Sequence, residues 1–346
     1  MRGSPARAAA LPQRALVAHT AVAAEADAST ADVLDQAALF AEGLAELGIP
    51  FATVAVPGGR AWEAVPAGGG AVVCNLLEAP PGRPHLHTAA TAALELLDVP
   101  FTGCAAGPMW LTTDKLATRA LLAAHGLPVA PGGPLDPAGP ALPAGVVFPV
   151  IVKPGWEDAS VGLEGNPVCA GEAELAARAW LLAARFPDQP LLVEAFLPGR
   201  EFNISVLEAG GGPEVMPVAE IAFVDFPPGL PPLVGYEAKW EAGSFADTHT
   251  VRRFPAEEED GPLLAALREL ARRAWQICGM SGYARVDMRL DRKGVPCILE
   301  VNANPCLSAD AGFMAAATRA GLGPAGVVRS LLEAALRRHG ARREGP

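Results

Sequence analysis

Near the C-terminus two apolar runs, YARVDMRL (283–290) and VPCILEV (295–301), flank the polar segment DRKG. Alternating runs joined by a short turn-forming segment make a β-hairpin. This hairpin constrains the fold more than any other stretch, because successive side chains of a strand leave on opposite faces. Ala284, Val286, Met288 and Leu290 share one face, and Tyr283, Arg285, Asp287 and Arg289 share the other. In the second strand Cys297, Leu299 and Val301 form the apolar face, opposite Ile298, Glu300 and Asn302. Matching the two apolar faces fixes the register to within two-residue slips. Pairing Leu290 with Val295 sets Arg285 opposite Glu300, with Asp287 as a diagonal neighbour. Asp287, Glu300 and Asn302 then converge as a hard-oxygen cluster of the kind that binds Mg²⁺. The plainer alternative is a pair of surface acids balanced by Arg285. Against it stand the core-facing partners of both acids and Asn302, an oxygen ligand with no structural task just before Pro305 ends the strand.

The first hundred residues alternate strand and helix patterns: strands at 15–22, 51–56 and 71–77, helices at 31–47 and near 87–97. That order predicts a parallel α/β domain. Thr112 or Thr113 is expected to cap a helix that runs to His125 and closes at Gly126. Residues 131–145 carry too many Pro and Gly for regular structure. A strand follows at 146–154, a helix at 171–186, and strands at 191–197 and 201–208 about Pro198-Gly199. Residues 225–255 read as a long irregular loop, 262–278 as a helix with Pro262 in its first turn, and 324–338 as a final helix. The fold class is α/β, passing to α+β in the C-terminal part.

With 346 residues, 51% hydrophobic and 19% charged, the chain is long enough for two or three globular domains. A net charge of −11 disfavours nucleic acid as a partner. No run of eighteen apolar residues offers a membrane span, and Pro12, Gln13 and Arg14 interrupt any signal-peptide core. Cysteines 74, 104, 169, 278, 297 and 306 show no CxxC or zinc spacing and are read as reduced thiols of a cytoplasmic protein.

Lysine is confined to positions 115, 153, 239 and 293. Lys293 sits in the hairpin turn and is read as solvated. Lys153 ends an apolar strand, where a cation is costly unless an anion receives it. Lys115 stands in the first turn of a helix, where the dipole disfavours a cation unless phosphate or solvent compensates. In GWEDASVG (155–162), backbone N–H groups of Ser160, Val161 and Gly162 are candidates to cradle phosphates. Glu194 and Glu201, on either side of a tight turn, suit the adenine amino group and ribose hydroxyls, with the backbone at Phe196 and Leu197 pairing the base edge. Glu201 beside Arg200 equally fits an ordinary surface pair. Two further features rank lower. HLH (85–87) would set two imidazoles on one strand face without a third metal ligand. Arg252 and Arg253 are read as solvated loop residues, with contact to an acidic substrate as the alternative.

Taken in order, DKLATRALLAAHGLPV, FPVIVKP, SVG, VEAFLPGREF, YEAKW, GYARVDMRLD and LEVNANP resemble the ATP-grasp ligases, and specifically the D-alanine–D-alanine ligase branch. The resemblance covers roughly residues 70–335. It implies a three-domain architecture, divided here at 14–111, 112–190 and 191–338, with ATP between the central and C-terminal domains. By the same resemblance Lys115 and Lys153 bind ATP phosphates, Glu194 and Glu201 the adenosine, and Lys239 the γ-phosphate. Asp287, Glu300 and Asn302 hold Mg²⁺, or Mn²⁺ in its place. Arg285 stabilises charge on the acyl phosphate and tetrahedral intermediate. The implied reaction is carboxylate–amine ligation of small, amino-acid-like substrates, by a protein of a group in which homodimers are common.

The chain also departs from the branch. VAHTAVAAEADAS replaces the N-terminal grip on the first amino acid, with Glu25 and Asp27 as substitutes. Trp240 follows YEAK where tyrosine or phenylalanine is usual, and CLSADAGF follows NANP, with Asp310 a candidate for an amine or other cation. Nucleotide chemistry is expected to be retained and the amino-acid pockets rebuilt. An ATP-grasp phosphotransferase and a non-catalytic ATP-binding protein are the alternatives.

Overall fold

The computed structural model describes residues 11–23, 25, 28–57, 71–80 and 82–343. Its first sheet is parallel, in the order β2-β1-β3, with β1 at Arg14–Thr20, β2 at Phe51–Val56 and β3 at Ala71–Leu76. Helix α1 (Ala28–Glu46) makes the crossover that a parallel pair requires. Helices α2 (Thr88–Leu96), α3 (Ala106–Thr113) and α4 (Lys115–Ala124) follow. The HLH segment is not a strand: Pro84–Leu86 form a 3₁₀ turn leading into α2. Nor do Thr112 and Thr113 cap α4. Both end α3, their hydroxyls donating to the Pro108 and Met109 carbonyls, and Asp114 caps α4 by accepting from the Ala117 N–H at 2.9 Å. The Gly and Pro at the start of α3 hide that helix from a periodicity reading.

The second sheet is antiparallel, in the order β4-β7-β5-β6: β4 Gly132–Leu135, β5 Val150–Pro154, β6 Val168–Cys169 and β7 Leu191–Ala195. Leu175, Ala179 and Leu182 of α5 (Glu172–Arg185) bury one of its faces against Val150, Val152 and Val193. β4 lies inside the stretch expected to be loop. An edge strand accepts Pro134, and Gly132 allows the close approach, since a Cβ there would sit 2.3 Å from the Val193 carbonyl oxygen.

The third sheet runs β11-β10-β8-β12-β13, with β9 paired to the end of β8. These strands are β8 Glu201–Ala209, β9 Gly212–Val215, β10 Ala219–Phe223, β11 Thr250–Arg253, β12 Tyr283–Leu290 and β13 Pro296–Asn302. The expected irregular loop instead contains α6 (Tyr236–Trp240), α7 (Phe245–His249) and β11. Helix α8 (Glu257–Cys278) begins a turn early, with Pro262 inside it and four acids in its first turn, where the dipole favours them. α9 (Gly312–Arg319) and α10 (Pro324–Arg343) complete the fold.

Behind the third sheet Phe202, Ile204, Val206, Val286 and Met288 pack on Leu264, Leu267 and Ala271 of α8. A second core joins the two ends of the chain: Val33, Phe40 and Leu44 of α1 meet Val327, Val328 and Leu331 of α10. All six cysteines are unpaired.

Candidate active site

With its apolar side on α8, the third sheet turns its polar side toward Lys153 of β5, Lys115 of α4 and Lys239 of α6. Glu201, Asn203 and Ser205 of β8 pair across with Arg289, Asp287 and Arg285 of β12. On the other edge of β12, Asp287 faces Glu300 and Arg285 faces Asn302. The hairpin register therefore differs from the one expected. Leu290 pairs with Pro296, and Asp291 meets Val295 through its N–H and through Oδ1, which accepts from the Val295 N–H. A bulge at Leu299 then shifts the register, so Glu300 faces Asp287 directly rather than Arg285. The bulge also reverses the alternation before it. Ile298 joins Val301 in the core, while Cys297 and Leu299 pack with Leu197 and Ala130.

Asp287 accepts from Arg285 Nε (2.7 Å) and Nη2 (2.8 Å) and from Asn203 Nδ2 (2.8 Å). Asn203 is a site residue that the sequence reading missed. Its alternation with Glu201 and Ser205 in EFNIS was the available signal, but only strand pairing connects it to Asp287. Lys115, buried at the start of α4, stands 3.5 Å from Glu300. Burial alone would raise the Glu300 carboxyl, yet Lys115, Lys239, Lys153 and Arg285 bring it down to about 2. Burial works to lower the Lys153 ammonium, but Glu194 at 2.6 Å outweighs it and raises the group. Arg119, also missed, approaches Glu194 at 3.6 Å and donates to the Gly132 and Ala130 carbonyls, which ties α4 to β4.

Glu201 does not pair with Arg200. Arg200 points away to Glu220 and Asp260, and Glu201 accepts from Arg289 Nη1 at 3.0 Å. Burial raises the Glu201 carboxyl, and Arg289 opposes that rise. The buried Arg289 also donates to the Gly199 and Pro232 carbonyls and lies over the Phe196 and Phe223 rings. The Phe196 N–H, one of the expected base-edge groups, donates to the Pro149 carbonyl.

Two loops close this side of the site. The Val161 N–H donates to the Asp158 carbonyl and the Gly162 N–H to Glu164, so both are used within the loop instead of pointing outward as expected. Ser160 Oγ donates to the Val234 carbonyl (2.8 Å) and Trp240 Nε1 to the Ala159 carbonyl (3.0 Å), which locks this loop to α6. Lys239 projects from α6 with part of its side chain in solvent. Its enclosed surroundings and the nearby Arg285 pull its ammonium below the usual range. Arg253 pairs with Glu220, and Arg252 donates to the Asp310 carbonyl. Glu25 is exposed, and Asp27 lies outside the described residues.

The donor set fits a divalent cation. Two carboxylates face each other across adjacent strands, Glu300 is ionised throughout the ordinary pH range, and Asn302 follows two residues on along the same face. Asn302 Oδ1 accepts from the Asn304 N–H (2.8 Å), which fixes its orientation. His85 and His87 meet Trp156 and Glu78 instead of each other.

Three sheets with lysines converging on a paired-carboxylate face form the ATP-grasp architecture. The chain superposes on the crystal structure of D-alanine–D-alanine ligase from Bacillus anthracis with a TM-score of 0.71, covering 95% of this chain and 99% of that one at 18% identity. A structure of that Bacillus enzyme complexed with ATP gives the same score. The enzyme from Coxiella burnetii gives 0.70 over 96% and 97% of the two chains, also at 18% identity. Residues 138–333 match the family model of the D-ala D-ala ligase C-terminus. D-alanine–D-alanine ligase from Bordetella petrii is 33% identical over 71% of this chain and 72% of its own length. The uncharacterized protein y4sG of Sinorhizobium fredii is 32% identical over 78% and 75%. The chain belongs to the D-alanine–D-alanine ligase family of ATP-grasp proteins. Among the described residues no helix is long and apolar enough to cross a membrane.

Proposed function

We propose that this protein is an ATP- and Mg²⁺-dependent carboxylate–amine ligase, acting in the cytoplasm on two small amino-acid-like substrates. The observation that carries the reading is the direct pairing of Asp287 with Glu300 amid Lys115, Lys153, Lys239 and Arg285. In this reading ATP lies between the second and third sheets. Glu194 and Glu201 receive the adenosine, Leu197 and the carbonyl of Phe196 the base edge, and the loop at Ser160, Val161 and Gly162 covers the phosphates. Lys115 and Lys153 neutralise phosphate charge, and Lys239 holds the γ-phosphate. Mg²⁺, or Mn²⁺, held by Asp287, Glu300 and Asn302, would neutralise the phosphate oxygens when bound.

A substrate carboxylate oxygen attacks the γ-phosphorus, and the bond to ADP breaks. The amine nitrogen of the second substrate then attacks the acyl carbon, phosphate leaves, and an amide forms. Arg285, oriented by Asp287, stabilises the oxyanion of the tetrahedral intermediate. Positioning and charge neutralisation do this work, so no protein nucleophile is needed. Two departures from the branch support rebuilt amino-acid pockets: Trp240, which donates to the Ala159 carbonyl, and Asp310, whose main-chain carbonyl accepts from Arg252. We further propose three units, with the second boundary near Pro198-Gly199 instead of residue 190, because β7 pairs within the second sheet.

The test is ADP release across pairs of amino acids, with the product identified by mass and hydroxylamine present in parallel. An amide product supports the ligase. Trapped hydroxamate with no amide from any amine would make it a phosphotransferase, and absence of ADP release from every pair would remove both readings.

A further inference from the structure

A cavity of about 250 Å³ lies between the first sheet and the end of β13, and beyond Lys115, Glu300 and Asn302 its lining has no part in the nucleotide reading. Lys115 and Glu300 belong to its wall, and they pair with each other. The rest of the charged wall is acidic: Glu78, Glu157 and Asp158. Glu78 is open to the cavity, while His87 behind it is buried, with its Nε2 lacking a hydrogen-bond partner at 3.7 Å from Glu78 Oε2. Asn304 Nδ2 approaches the other oxygen of Glu78 at 3.5 Å. Although Glu78 is open on the cavity side, the protein packed around it desolvates and raises its carboxyl; His87 offsets part of that rise, and Asp158 and Asp32 add to it. Glu157 is raised by burial too, with Asp158 adding to it and the hydrogen bond from Gln189 opposing. Three carboxylates thus line the cavity, and a buried imidazole with an unused nitrogen stands beside Glu78. A cationic ligand relieves that repulsion.

We propose that this cavity binds the carboxylic-acid substrate, and that the substrate carries a cationic side chain, an ammonium or a guanidinium, received by Glu78. The assignment rests on the ligase reading for the word substrate, but the binding it requires can be measured without turnover. Isothermal titration of the full-length protein with both enantiomers of lysine, ornithine and arginine, against alanine and glutamate, is the experiment. At least one basic amino acid should bind about 10-fold more tightly than alanine of the same hand. Glu78→Gln should remove that advantage while leaving alanine and ATP binding unchanged, and Asp158→Asn should reduce it. A merely structural Glu78 would weaken all three ligands together. Equal or tighter binding of alanine or glutamate, or an advantage that survives Glu78→Gln, overturns the proposal. The two readings fail separately. A basic amino acid bound through Glu78 with no ADP release from any amino-acid pair sinks the ligase, whereas ADP release driven by alanine but by no basic amino acid sinks only this assignment.

Discussion

Glu300 is surrounded by more positive charge than any other carboxylate of the site, and its properties follow from that. Its pKa of about 2 lies below the ordinary glutamate value near 4.3. The stability it contributes is complete above the unfolded pKa and is lost as pH falls from there through the folded value. Glu300→Gln should therefore show a shallower acid-side loss, read as a smaller shift of the urea midpoint between pH 6 and pH 3.5 than in the wild type. The same variant should lower ADP release by about 100-fold or more with circular dichroism unchanged. Activity within a factor of a few of wild type would remove Glu300 from the metal set. Lys115, Lys153, Asp287 and Glu300 were legible in the sequence because a charge on an apolar strand, or a cation at a helix start, is an anomaly with few explanations. Asn203, Arg119 and the Arg289–Glu201 pair were not. Each becomes visible only when strands or loops distant in sequence are brought together, and nothing in the local pattern reports that pairing.

Regular elements depend on close approaches that one residue permits or forbids. Gly132 is such a position: any side chain meets the Val193 carbonyl and the Glu194 Cα, at 2.3 and 2.8 Å from a Cβ. Gly132→Val should destabilise the protein by about 2–3 kcal/mol through displaced backbone. It should also weaken ATP binding, since β4 and Arg119 support Glu194; an unchanged urea midpoint would refute the strain. The outer strands of the third sheet are tied by Glu220, which is buried and receives Arg200 and Arg253, while Arg200 reaches on to Asp260 of α8. Burial would raise the Glu220 carboxyl, but the two guanidinium partners outweigh it and lower the group. Its contribution is therefore present above the usual carboxylate range and lost as pH falls. Glu220→Gln should cost about 1–2 kcal/mol at pH 7, a discounted figure because both arginines are partly exposed, and less at pH 4. A cost that does not shrink with acid would assign the effect to packing. The long helices and hairpin strands were recognisable from periodicity, with α8 starting and α10 ending five residues beyond the expected bounds. β9, β10, β11, α6, α7 and α9 are short, and for such segments tertiary pairing outweighs the local pattern.

At the scale of the molecule, two connections determine how the site is held. The shared core of α1 and α10 joins the start of the chain to its end, so the first and third sheets pack as one mass. The second sheet meets that mass across the proposed nucleotide cleft, where two of the ties are polar: Trp240 to Ala159 and Ser160 to Val234. Polar contacts across a cleft exchange readily with water, each contributing about 1 kcal/mol net, whereas the apolar core does not. The cleft is therefore where the molecule should open to admit nucleotide and substrate. Trp240→Phe keeps the ring and removes the bond to the Ala159 carbonyl, so it isolates the latch from packing. A loss of about 1 kcal/mol in the closed state should raise the KM for ATP about 5-fold while kcat and the melting temperature change little. Hydrogen exchange should quicken at residues 155–162 and 236–240 together, and stay unchanged in α1 and α10. Exchange that quickens in only one of the two loops would show that they move independently, and the nucleotide would then be covered by one loop instead of an interlocked pair.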